Sequence, residues 1–574
     1  RNQQMSGATI EVLDGSNATQ APGPLQQDAA TAEDVGETIL EAQRSFIVLI
    51  VLLLITCFTL GEWVTRKSRY LTEGSFACIV GLVGGLILLV INLTQTDIHW
   101  HVSLAFPSEY FLDVLLPPII FYQGFSVHKN RLFSNTALIA LFGILGTLIS
   151  FGIISLAIAM LRMFESSTVL RLGSIMSATD SVAVLQILNP QDYPFLHSIS
   201  FGEGVLNDAS AIVLLRSVRR TFENQSSSST GESEMTVSTL FEILGSFALT
   251  FVLSLTMGVS VGLISALIMK MNAKQTRRSV NSHRTFSMSI FENLTVTHQC
   301  GFLVLLAYLA YILAEALSLS GIVTLFFCGL TMSHYTYYNL EAAAQITTNH
   351  VFHAMSLLAE ISIYLYVGMD SLYRGNWTNV SVWRVVVLVV VLLISIVVSR
   401  VIFVLPICYL QNLWNKRHKL QLSEMLIIIW AGTLRGAVSV ALVMYSFAPL
   451  SAAHAGRESS TVIAAVMALV LFCIIILGFF TKPIVHALLK YQSTPYVPGE
   501  EDSILQSFLH RFSPAPGSTA LSSMSSGPEL DQPLSTYRDS GNDARNHIEL
   551  AESGSGHQGS SDGNASADRG LGEA

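Results

Sequence analysis

The stretch "FGEGVLNDAS", residues 201–210, decides how this chain is read. It lies inside an apolar segment from about Ile199 to Val218, yet it holds Glu203 and Asp208, with Asn207 between them. A charged side chain at the centre of a bilayer costs about 2.5–3.5 kcal/mol on insertion scales. If the surrounding run is a membrane helix, these acids must face a bundle interior or a watery cavity, and such residues read first as functional.

The rest of the chain supports the membrane reading. Of 574 residues, 51% are hydrophobic and 12% charged, against about 25% charged in a soluble protein. About 20 apolar residues are needed to cross a bilayer as a helix. Thirteen stretches qualify, at 45–64, 74–93, 111–127, 136–161, 171–188, 198–219, 240–270, 300–317, 319–334, 350–372, 382–410, 424–448 and 460–488. The fold class is therefore an all-α polytopic membrane protein. Three of these stretches, 171–188, 198–219 and 319–334, are short or carry charge or glycine.

Basic residues orient the chain. The loops after spans one, three, seven and eleven carry Arg66, Lys67 and Arg69; Lys129 and Arg131; Lys270, Lys274, Arg277, Arg278 and Arg284; and Lys416, Arg417 and Lys419. The positive-inside rule places these loops and the C-terminus in the cytosol. Arg216, Arg219 and Arg220 run against the bias. N-x-S/T sequons at Asn17, Asn92, Asn224, Asn376 and Asn379 fall on the opposite side, where glycosylation occurs, whereas Asn293 and Asn564 do not.

Residues 1–44 form a polar, non-cytosolic segment without the basic-then-apolar pattern of a signal peptide, so the first apolar stretch reads as the insertion signal. Residues 45–490 are the transmembrane domain. In 491–574, Ser, Gly, Asp and Asn dominate, which predicts a disordered cytosolic tail. Within it, "EEDSIL" (500–505) has the form of an acidic dileucine sorting signal.

Several classes are excluded. No basic stripe with interleaved aromatics points to nucleic acid. Cys57, Cys78, Cys300, Cys328, Cys408 and Cys473 are scattered, mostly within apolar runs and without a CxxC, so they read as packing residues and not as a zinc site or disulfide framework. There is no HExxH or GxSxG, which argues against an enzyme, and no cofactor is indicated.

Other spans are also interrupted by polar residues. In "SATDSVAVLQ" (177–186), Thr179 and Asp180 mark either a helix break whose freed carbonyls meet an ion or an ordinary helix cap. Glu203 and Asp208 stand about 140° apart on a helix, so they need different partners. Asp208 with Asn207 offers oxygen ligands for a hard cation such as Na⁺, while Glu203 pairs with a distant base. In "WAGTLRGAVSVALVMYSF" (430–447), Arg435 sits near Gly432 and Gly436. Arginine stays charged when buried, so Arg435 requires an anion, with Glu203 and the ion-site acids as candidates, unless it snorkels to headgroups. Glu315 and Glu360 are accessory intramembrane acids with either a transport or a structural role, and Asp113 falls near a span end.

In order, "FLDVLLPPIIF", "ATDSV", "FGEGVLNDA", "LSGIVTLFFCGLTMSHYTYYNL", "AEISIYLYVGMD" and "LRGAVS" resemble the monovalent cation–proton antiporters, the eukaryotic Na⁺/H⁺ exchanger family. "ATDSV", "FFCG", "MSHYT" and "LYVGMD" are similar to its plant and algal endomembrane branch. The resemblance covers about 45–490 and implies inverted repeats, a core and a dimerisation domain, two crossed discontinuous helices and a homodimer. It implies that the broken helices hold Thr179–Asp180 and Gly432–Arg435. It makes Asn207–Asp208 the ion-binding pair and Glu203–Arg435 a structural ion pair. It also links Phe111, Leu115, Pro117 and Pro118 to inhibitor binding, and suggests a vacuolar or endosomal membrane, with the plasma membrane as the other possibility.

From the chemistry upward, Asp208 holds either a cation or a proton, and that competition is an exchange device. Asn207 is neutral, so a single titrating acid favours one Na⁺ or K⁺ for one H⁺. The tail and the basic loop 270–289 are candidate regulatory elements for phosphorylation or a cytosolic calcium sensor. A cation channel, or a sensor of this fold without flux, is the competing reading; no carbonyl filter of the TVGYG type favours the channel.

Overall fold

A segment surrounded by lipid must satisfy its own backbone N–H and C=O groups, and a helix does so within one segment. The computed structural model describes residues 24–68, 70–94, 111–127, 135–190, 192–227, 237–281, 294–372, 377, 380–414, 420–451 and 456–490. Every regular element among them is helical. In chain order these are α1 (Pro24–Lys67), α2 (Glu73–Thr94), α3 (Leu116–Ser126, entered through a π turn at Phe111–Leu115), α4 (Thr136–Met160), α5 (Ser166–Ser177), α6 (Val182–Leu185), α7 (Pro194–Ser227) and α8 (Val237–Asn281). They continue as α9 (Val296–Ala316), α10 (Gly321–Thr331), α11 (Ala342–Asp370), α12 (Val382–Trp414), α13 (Leu422–Thr433), α14 (Ala437–Ser451), α15 (Gly456–Leu471) and α16 (Gly478–Lys490).

Each of the thirteen apolar stretches coincides with helix, two of them interrupted, at 178–181 and at 434–436. Among the described residues, ten helical spans are long and apolar enough to cross a membrane. Helices α3 and α10 miss that measure through shortness, and α7 through its charged residues, the same feature that drew attention to it. Large apolar side chains such as Leu305, Phe241 and Trp383 stand exposed on the outside, as lipid-facing surface requires. The protein is an integral membrane protein.

Helix α1 begins well before the first apolar stretch. Asn224 is exposed near the end of α7. Asn17, Asn376, Asn379, most of residues 1–44 and the block 491–574 lie outside the described residues or have side chains that are not described. All six cysteines are buried and free.

Helix α11 packs along α2, α8 along α10, and α7 against α5 and α8. Helix α16 locks one end of the bundle. Lys482 Nζ donates to the carbonyls of Thr65 (3.2 Å), Ser68 (3.4 Å) and Leu71 (2.6 Å), closing the turn between α1 and α2. Val485 on the same helix joins a buried cluster with Leu196 and Ile199 at the start of α7. The α1–α2 turn and the beginning of α7 therefore lie at the same end.

Candidate ion site

Two spans are broken in mid-course, and the breaks meet. Helix α5 stops at Ser177 where Ala178 turns extended (φ −63°, ψ 141°), and α6 resumes at Val182. Helix α13 stops at Thr433 where Leu434 does the same (φ −69°, ψ 139°), and α14 resumes at Ala437. The Asp180 amide donates to the Leu434 carbonyl at 3.0 Å, stitching one break to the other. Gly436 permits this approach, because a Cβ there would strike the Asp180 carboxylate.

Asp180 lies within the break between α5 and α6. Its Oδ1 accepts from the Val182 amide at 3.2 Å, capping α6, while Oδ2 accepts from the Tyr364 hydroxyl at 2.5 Å. Across the break, the Thr179 amide reaches the Asp208 carboxylate, and Asp208 and Asp180 are near enough to repel each other. Asp208 on α7 thus faces the crossing point. Thr179 contributes its backbone there, with its side chain buried.

Glu203 corrects the expected pairing. Its partner is Arg400 on α12, bonded Nη1 to Oε1, with side chains 5% and 0% exposed, and not Arg435. Arg435, itself buried, donates through Nη1 to the carbonyls of Ala178 and of Ser177 (3.3 Å). The physical reason lies in the break: ending α5 at Ser177 strands its last carbonyls, and the negative end of the helix attracts a cation. Arg435 answers that partial charge and remains within electrostatic reach of Asp208 and Glu203. Gly432 makes room for the other arginine, since a Cβ there would meet the Arg400 guanidinium.

Asn207 is wholly buried. With its amide placed to satisfy both neighbours, it donates to the Ser177 carbonyl at 2.8 Å and accepts from Arg400 Nη2 at 3.0 Å. It therefore ties the end of α5 to the Glu203–Arg400 pair. In this arrangement Asn207, beside Asp208 in the chain, links the broken helix α5 to α12.

A cavity approaches the crossing from one end of the bundle. Its walls include Asp180, Glu360, Tyr364 and Arg435, and it reaches Thr72 and Ser75 at the start of α2. Glu360 thus shares this cavity with Asp180. Glu315 lies elsewhere and pairs with Arg216, Nη2 to Oε1 at 2.7 Å. Asp113 accepts from the Tyr311 hydroxyl at 2.9 Å. Phe111 and Leu115 bound the π turn, and Pro117 and Pro118 open α3.

Arg400 and Tyr364 were missed in the sequence, and each had a signal. Arg400 interrupts the apolar run "VVVLLISIVVSRVIFV" (389–404) as plainly as Arg435 interrupts its own. Tyr364 lies one turn beyond Glu360, on the same helix face.

Comparison with known proteins identifies the family. A family model described as "Sodium/hydrogen exchanger, transmembrane" matches residues 49–487. Sodium/hydrogen exchanger 1 of Arabidopsis thaliana is 36% identical over 456 residues, covering 78% of this chain and 79% of that protein. Sodium/hydrogen exchanger 1 of rice, Oryza sativa subsp. japonica, is 36% identical over 458 residues, with 78% and 79% covered. The solved structure of the sodium proton antiporter MjNhaP1 from Methanocaldococcus jannaschii superposes with a TM-score of 0.53 at 17% identity, covering 79% of this chain and 99% of that one, which shows a shared fold. The chain belongs to the sodium/hydrogen exchanger family, in the branch of the plant exchangers.

Proposed function

We propose that this protein exchanges Na⁺ or K⁺ for H⁺, one for one, by alternating access across a vacuolar or endosomal membrane. The observation that carries the proposal is the junction of two helix breaks at Asp180 and Leu434 with Asp208 facing it. Broken helices put unpaired backbone groups and half-helix ends at mid-membrane, where a dehydrated cation needs ligands.

Asp208 is the exchange group. A cation that arrives through the Thr72–Ser75 cavity displaces its proton, and the loaded site then turns to face the other side. Asp180 and the Thr179 backbone complete the site. Glu203, Arg400 and Asn207 hold α7 in register with the end of α5, so the carboxylate stays at the junction. With Asn207 occupied by Ser177 and Arg400, one carboxyl carries the coupling, and the cycle moves no net charge.

The protein is a transporter and not an enzyme, and it needs no cofactor beyond the ions it carries. It works as a homodimer in the lipid bilayer, each copy built of inverted repeats. Its C-terminal tail lies in the cytosol and offers a docking segment to a regulator. The plasma membrane is the second possible location.

The test is cation-driven proton release from proteoliposomes with an acid interior, comparing wild type with Asp208→Asn in Na⁺ and in K⁺. Exchange in wild type that vanishes in the variant supports the proposal and ranks the two cations. Exchange that survives in Asp208→Asn removes that residue from the coupling role. A current proportional to flux removes the one-for-one stoichiometry.

A further inference from the structure

Arg216 follows Asp208 on α7 by eight residues, two turns along the same face, about 12 Å away. Ile212 stands between them at the matching position. Because α7 starts at the end where Lys482 and Val485 lie, Arg216 sits beyond Asp208, away from the Thr72–Ser75 cavity.

At that far end Arg216 grips α9 with both arms. Nη1 donates to Glu315 Oε2 at 2.8 Å and to the Leu319 carbonyl at 2.9 Å, while Nη2 donates to Oε1 at 2.7 Å. Glu315 Oε1 also accepts from the Gly321 amide at 3.0 Å, and Arg220 donates to the Ser318 carbonyl. The turn between α9 and α10 is thus held to the ion-site helix. Yet α7 and α9 do not pack along their lengths. Polar tips join them, and the pair is only partly buried, at 24% and 29% side-chain exposure. A contact of that kind separates without unpacking an apolar interface and without stranding a buried charge, unlike the sealed Glu203–Arg400 pair.

We propose that Arg216–Glu315 is the closing contact on the face opposite the Thr72–Ser75 cavity, and that it must part for Asp208 to reach that face. Arg216 is a positioning residue: it acts through Glu315 on the helix that carries the exchange group. The inference rests on the exchange reading, because a site that opens to two sides needs a closure on each. Charge explains the choice of residues. While paired, the two charges cancel and the joined side chains close the far route; separation leaves the Glu315 carboxylate on that route as a cation acceptor.

The test uses the full-length protein with Ile212→Cys as reporter, labelled by a membrane-impermeant thiol reagent from each face of oriented vesicles. Neutralising either partner, Arg216→Gln or Glu315→Gln, is expected to raise labelling from the far face about five-fold, the lower end for coupling between a local contact and a global state. The exchanged pair Arg216→Glu with Glu315→Arg is expected to return labelling towards wild type. Labelling unchanged by either neutralisation overturns the proposal. In exchange assays, Arg216→Cys with Glu315→Cys joined by a short cleavable thiol cross-linker should stop exchange until cleavage. Full exchange while cross-linked overturns it as well. The labelling arm reads the closure without any flux, so a wild type that fails to exchange counts against the proposed function and not against the gate.

Discussion

The corrected pairing of Glu203 yields a sharp prediction. Removing Arg400 leaves Glu203 charged and sealed, with its side chain 5% exposed. It also takes the acceptor's partner from Asn207 and the guanidinium from over the Phe403 ring, 4.9 Å away. Breaking a buried ion pair from one side costs about 3–5 kcal/mol, a large part of the 5–15 kcal/mol that holds a typical domain together. Arg435→Ala instead loses hydrogen bonds to the Ser177 and Ala178 carbonyls, worth about 1.5–3 kcal/mol as charged-donor bonds. The assay is a pair of double-mutant cycles read by reversible unfolding in mixed micelles: Glu203→Gln with Arg400→Gln, and Glu203→Gln with Arg435→Gln. The first cycle should show coupling of about 3 kcal/mol and the second a clearly smaller one, about 0.5–1 kcal/mol, because Arg435 is within electrostatic reach of Glu203 without bonding it. Coupling of Glu203 to Arg435 as large as its coupling to Arg400 would refute the assignment.

Three further outcomes follow from the same geometry. Gly436→Ala drives a Cβ into the Asp180 carboxylate and should cost about 1–3 kcal/mol of overpacking with loss of exchange; Gly152→Ala, which meets nothing within 4 Å and lies inside α4, should instead stabilise by up to about 1 kcal/mol on the same unfolding assay. Lys482→Ala strips three carbonyls of the α1–α2 turn of their donor and should lower stability by about 1–2 kcal/mol, with faster proteolysis near residues 66–72 as the local readout. Asp208→Asn should abolish cation-driven proton release while leaving the unfolding midpoint within a few degrees of wild type, which distinguishes loss of the exchange group from loss of fold.

Much of this protein is legible in one dimension because lipid imposes a simple rule. A segment that cannot bond to water must be helical and apolar, so every stretch of suitable hydropathy became helix, and any charge inside one stood out. Thr179, Asp180, Asp208 and Arg435 were found in that way, and the structure gathers them at one crossing. Partnership was less legible. Glu203 had several intramembrane arginines available, and nothing in the spacing of residues 203, 400 and 435 ranks Arg400 above Arg435. The ranking came from the break in α5: the freed carbonyls of Ser177 and Ala178 compete for Arg435, and they exist only once the helix has stopped. The same holds for Arg216. Its charge looked like an exception to the loop bias until α9 brought Glu315 to it from 99 residues away. The sequence by itself determined which segments enter the bilayer and which residues are too costly to be there without a purpose. Tertiary structure alone decided which opposite charges meet, because helix breaks and crossings create partial charges and distances that a linear order does not contain.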